Sequence, residues 1–106
     1  MIFAEHLTTK ERIDLLERSI LVNAYCYYEL DDNVLSDRQY DMNALQLKDL
    51  IDANPGAFRR SNYYKCFTDF APGTGFDLVA KIKSDKALHS KIDQEARWAL
   101  RLSGKA

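Results

Sequence analysis

Two short strings mark where helices must begin. Thr8-Thr9-Lys10-Glu11 and Ser36-Asp37-Arg38-Gln39 each place a hydroxyl at a helix N-cap and a Glu or Gln three residues later, so each can satisfy backbone amides that a helix start leaves unpaired. After the first string, Ile13, Leu16, Ile20 and Tyr27 recur at helical spacing. This helix is predicted to run to about Tyr28 or Leu30, because Asp31-Asp32-Asn33 is poor helix interior and good turn. After the second string, Tyr40, Ala44, Leu47, Leu50 and Ile51 repeat at the same steps until Asn54-Pro55-Gly56 ends the run. The connection from Asp31 to Leu35 is short, so the two helices are expected to pack antiparallel.

Beyond Gly56 the pattern changes. Ser61-Asn62-Tyr63-Tyr64-Lys65-Cys66-Phe67-Thr68-Asp69-Phe70 is aromatic-rich with partial alternation, which predicts a short strand or extended arm. Ala71-Pro72-Gly73-Thr74-Gly75 reads as a turn, after which Thr74 caps a short helix through Phe76, Val79 and Ile82. Ser84 is the expected cap of a last helix with Leu88, Ile92, Ala96, Ala99 and Leu100 on its apolar side. The expected fold is mainly α: an antiparallel helical hairpin over 8–55, one or two further helices, and a short extended or β segment near residues 62–70. One domain spanning 1–106 accommodates all of it. The aromatic strip Tyr63, Tyr64, Phe67, Phe70, Phe76 and Trp98 is assigned mostly to the core.

Charge narrows the function classes. Fifteen basic residues against sixteen acidic ones give a formal charge of -1, which offers no general attraction to DNA or RNA. Cys26 and Cys66 lack metal-ligand spacing, and a reduced cytoplasmic setting with partly buried thiols is the expectation. No stretch reaches membrane-spanning length. His6 and His89 stand apart from any metal-ligand cluster and are expected to be solvated or capping. Arg59-Arg60 and the pair Lys81 and Lys83 are expected to face solvent, with phosphate or an acidic partner as their other possible neighbours.

The hairpin's elbow gathers the chemistry. Tyr25-Cys26-Tyr27-Tyr28-Glu29-Leu30-Asp31-Asp32 precedes it and Ser36-Asp37-Arg38-Gln39-Tyr40-Asp41 follows. Phenol faces beside paired carboxylates suit a flat cationic or electron-poor ring whose hydroxyls and amides donate to the acids. The plainer roles are core packing for the tyrosines and helix-start electrostatics for the aspartates.

The string Tyr25-x-Tyr27-Tyr28-x-Leu30-Asp31-Asp32-x-x-x-Ser36-Asp37-x-x-Tyr40-Asp41-x-x-x-x-x-Leu47 resembles the N-terminal domain Ia of bacterial NAD-dependent DNA ligases. The resemblance implies recognition of the nicotinamide mononucleotide half of NAD. By position it assigns Tyr27 and Tyr40 to the ring sandwich, Asp37 and Asp41 to the nucleotide's polar groups, and Tyr28 to a place near the ligand. Asn23 stands where that family usually has histidine, and Asn33-Val34 where it often has Pro-Glu. The likeness stops at Pro55, without the family's adenylation domain. Lys91-Ile92-Asp93-Gln94 lacks the glycine of the nucleophilic lysine motif, and a helix would aim Lys91 and Asp93 apart. The segment from Tyr64 to Leu78 looks like the second half of small stand-alone ligase-related proteins of bacteriophages and their hosts.

The expectation is therefore a non-catalytic protein that requires no cofactor and has NAD or nicotinamide mononucleotide as its ligand. The alternative is a phage-type interaction or inhibitor protein that engages a bacterial host protein through the aromatic segment Tyr63 to Phe76. An enzyme acting on NAD would have to use Asp37, Asp41 or Glu29.

Overall fold

A computed structural model describes residues 7–32, 35–71 and 75–104. They form six helices and no strand: α1 Thr9–Tyr28, α2 Asp37–Ala53, α3 Pro55–Arg59, α4 Tyr64–Phe67, α5 Gly75–Lys83 and α6 Lys86–Leu102. Both predicted helix starts are present, the first with a full capping box and the second with the Ser36 bond alone, because the Gln39 side chain donates to Asn43 Oδ1 instead of reaching back. Thr8 Oγ accepts from the Glu11 amide at 3.2 Å, Glu11 Oε1 accepts from the Thr8 amide at 3.1 Å, and Ser36 Oγ accepts from the Gln39 amide at 3.1 Å.

α1 is the central element, touching α2, α3, α5 and α6. Ile13, Ile20, Leu21, Ala24, Tyr25 and Cys26 are all buried. A helix enclosed this far round needs apolar side chains on more than one stripe. The turn that follows α1 passes through Asp31, whose φ of 55° is the left-handed conformation that aspartate tolerates better than most side chains. The Asp32 amide then returns to the Cys26 carbonyl at 3.0 Å.

α2 lies back along α1, because the chain that follows it is clasped by α1's first turns. Asp14 Oδ1 accepts from the Asn62 amide at 2.7 Å, and Glu17 accepts from Ser61 Oγ at 3.0 Å and from the Tyr63 amide at 3.3 Å. Asn54 breaks the helix between α2 and α3 with φ -134° and ψ 63°, and Pro55 occupies the first turn of α3, where its missing N–H costs nothing.

Three expectations from the sequence need correction. The segment near residues 62–70 contains helix α4 and no strand. Tyr63, Cys66, Phe67 and Phe70 are buried together, and their offsets of three, four and seven residues are helical. The last helix is capped by Asp85 and not Ser84: Asp85 Oδ1 accepts from the Leu88 amide at 3.2 Å, whereas Ser84 Oγ donates to the Lys81 carbonyl at 2.7 Å. Phe76 and Trp98 are not core residues, being 69% and 56% exposed. The basic pairs face solvent as expected: Arg59, Arg60 and Lys83 are exposed and Lys81 partly so, with Lys83 pairing with Glu29 and Lys81 with Asp69 at the surface. The proposed Thr74 cap lies outside the described residues.

One contiguous apolar cluster joins α1, α2, α4, α5 and α6, with Phe67, Leu47, Ile82 and Ile92 among its members. The Cα radius of gyration is 13.3 Å, close to the ~13 Å of a packed chain this long. No helix among the described residues is long and apolar enough to cross a membrane.

Candidate functional site at the hairpin elbow

The end of α1 and the start of α2 meet at the elbow. Three tyrosines on the last turns of α1 have different environments because their directions around the helix differ. Tyr25 points inward and is 3% exposed, whereas Tyr27 and Tyr28 are 51% and 44% exposed. Core packing therefore accounts for Tyr25 and not for the other two. The Tyr27 ring meets Tyr28 edge to face at 4.8 Å, and Tyr28 meets Phe76 edge to face at 5.8 Å. This aromatic row lies largely in solvent.

On α2, Asp37, Tyr40 and Asp41 occupy offsets of zero, three and four, which share one helix face. Asp37 and Asp41 are exposed and form no hydrogen bond or ion pair among the described residues. Tyr40 is half-buried and packs against the core. Burial pushes its phenol up to about 12, with Tyr28 and Asp41 adding negative potential. The structure thus couples Tyr40 to Tyr28 and Asp41, and Tyr28 to Tyr27. Tyr27 and Tyr40 make no ring-to-ring contact with each other among the described residues.

The electrostatics favour a cation. The negative end of α1's dipole and the positive end of α2's offset each other here, so the attraction for a cationic ring comes from the two unpaired carboxylates on α2 and the phenol faces. Glu29 is neutralised by Lys83 at 2.8 Å, leaving Asp37 and Asp41 as free acceptors. Asn23 folds back on its own helix. Its Nδ2 donates to the Ser19 carbonyl at 2.7 Å, and its buried Oδ1 has no partner among the described residues.

Behind the elbow is a network that residue spacing alone did not single out. The Tyr25 hydroxyl donates to Asp93 Oδ1 at 2.7 Å and lies 3.0 Å from His89 Nε2. Having given its proton to Asp93, the phenol must accept from His89, so the imidazole carries its hydrogen on Nε2. Arg97 closes the network on Asp93 at 3.0 Å, and the Arg97 and Tyr25 hydrogen bonds hold the Asp93 carboxyl below its ordinary range. Burial and the Asp93 contact push the Tyr25 phenol far up. His89 thus stays partly exposed, but its ring is held by Tyr25 and does not cap a helix. The visible signal was His89 and Asp93 one helical turn apart on α6, but nothing in the spacing named Tyr25 as their common partner.

Lys91 and Asp93 do diverge. Lys91 Nζ bonds the Tyr63 hydroxyl at 2.8 Å, while Asp93 serves Tyr25 and Arg97. Cys26 and Cys66 are free and buried. Burial pushes the Cys26 thiol up to about 11 and raises Cys66 as well, so both remain protonated at neutral pH. Among the described residues no group of three His, Cys, Asp or Glu side chains is arranged to hold a metal ion.

No family model, curated protein or solved structure matches this chain.

Proposed function

We propose that this chain is a non-catalytic recognition module for the nicotinamide mononucleotide half of NAD, with the elbow as its binding surface. The observation that carries the reading is the pairing of exposed Tyr27 and Tyr28 with the unpaired carboxylates of Asp37 and Asp41. The pyridinium ring lies against the phenol faces, and the ribose hydroxyls and carboxamide donate to the aspartates. Tyr40, anchored in the core, fixes one edge of the surface. The resemblance to ligase domain Ia assigns these same five residues.

An open surface buries little of a small ligand, so the dissociation constant is expected on the order of millimolar. Titration of the amide NMR spectrum with nicotinamide mononucleotide and with NAD tests the reading. Saturable shifts at Tyr27, Tyr28, Tyr40 and Asp41, lost in the Tyr27→Ala, Tyr40→Ala double variant, support it. An unperturbed elbow in the folded protein at saturating ligand rejects it.

A protein-contact role has a narrower basis than the sequence offered. Tyr63, Phe67 and Phe70 are 8%, 1% and 6% exposed, so the aromatic segment presents mainly Phe76 to a partner such as a bacterial host protein.

A further inference from the structure

Away from the elbow, a concavity lies between α4 and the corner where α5 turns into α6, a cleft of about 710 Å³. That volume falls within the range of small-ligand sites, about 300–1,000 Å³. Four cations line it, Arg59, Lys65, Lys81 and Lys91, against one carboxylate, Asp85. The carboxylate is committed to capping α6 through the Leu88 amide. Lys81 is held at the cleft wall by the Cys66 carbonyl at 3.2 Å and by Asp69.

The other three cations have no carboxylate partner among the described residues. Elsewhere, Lys10, Arg18, Lys48, Lys83 and Arg97 each pair with an acid, while Arg38, Arg60, Lys86 and Arg101 form no ion pair among the described residues; what sets the cleft apart is that three such cations line one concavity. Lys91 is held in place by a neutral group instead, donating to the Tyr63 hydroxyl with its ammonium 5.1 Å from the centre of that ring. A phenol positions a cation without neutralising it. Gathering like charges without counter-charges is unfavourable, and a concave wall focuses their field. The whole chain has a formal charge of -1, so this positive potential is local to the cleft.

We propose that this cleft binds a small phosphate ester or polyphosphate, with Lys91, Lys65 and Arg59 contacting its oxygens. A compact dianion suits several cations lining one cleft, and the Arg59 fork can take two phosphate oxygens at once. The site is separate from the elbow: none of the five elbow residues lines it.

The test is an amide NMR titration with inorganic pyrophosphate at physiological ionic strength, where diffuse surface attraction is largely screened. Saturable shifts are expected at Lys65, Ser84, Asp85 and Lys91, with none at Tyr27 or Asp41. The Lys65→Gln, Lys91→Gln double variant should lose about tenfold or more in affinity. The glutamine amide that replaces the Lys91 ammonium still offers Tyr63 a donor, and an unchanged spectrum away from the cleft reports an intact fold. Absence of saturable shifts in the wild-type protein, or equal affinity in the double variant, overturns the proposal. So does an oligoglutamate peptide binding as tightly as pyrophosphate, which would make the cleft a protein-docking surface. Failure of the elbow to bind nicotinamide mononucleotide leaves this outcome unaffected.

Discussion

Glu17 has no exposed surface, and burial pushes its carboxyl up to about 7 against the opposing hydrogen bonds from Ser61 and Tyr63. The folded state therefore holds a proton that the unfolded chain releases near its ordinary value of 4.5. The associated stability is fully present below that value and is lost as pH rises through about 7. Urea midpoints are expected to fall across this window by an amount equivalent to at most about 3 kcal/mol. Glu17→Gln, which stays neutral, should flatten that slope. Asp93 acts in the opposite sense. Its lowered carboxyl adds stability above the unfolded aspartate range and loses it as pH falls toward the folded value. A second residue-scale outcome concerns Tyr25. Tyr25→Phe removes the hydroxyl shared by His89 and Asp93 and should cost about 2 kcal/mol, read as a lower thermal midpoint with the helical circular dichroism signal retained. Neither role was legible in sequence. A glutamate among apolar helix positions gives no sign of which backbone amides it will meet, and Tyr25, Tyr27 and Tyr28 differ only in direction around α1.

Among the elements, α2 has a cap on which the proposed binding surface depends. Ser36 holds the turn that presents Asp37, Tyr40 and Asp41, so Ser36→Ala should cost about 1 kcal/mol of stability. Amide exchange is expected to quicken mainly in the first turn of α2, and nicotinamide mononucleotide binding to weaken with it. Retained protection at Asp37 to Asp41 would show that Tyr40's packing alone orders the turn. The starts of α1 and α2 were readable because caps act between near neighbours. The α4 segment was misread although its burial pattern was in the letters: Tyr63, Cys66, Phe67 and Phe70 follow a helical period, while tyrosine and phenylalanine favour strands only where a strand partner exists. Ser84 and Asp85 were adjacent candidates for one cap. The choice fell to Asp85 because Ser84 finishes α5.

In the whole molecule, Phe67 is the keystone of the shared core, 1% exposed and edge-on to Phe70 at 5.0 Å. Phe67→Ala should cost about 3–5 kcal/mol, a large share of the roughly 5–15 kcal/mol that stabilises a domain. Calorimetry should then show a much lower and broader transition, whereas a sharp transition near the wild-type midpoint would mean that α4 is peripheral to stability. The helical character and the bounds of the hairpin were written in the chain, since capping, turn formation and apolar periodicity act over a few residues. The aromatic surface at the elbow and the cation-lined cleft were not. Exposure of Tyr27, Tyr28 and Phe76, and the gathering of Arg59, Lys65 and Lys91 around one cleft, depend on how α5 and α6 close against α1. Those contacts join residues tens of positions apart, and packing rather than local preference selects them.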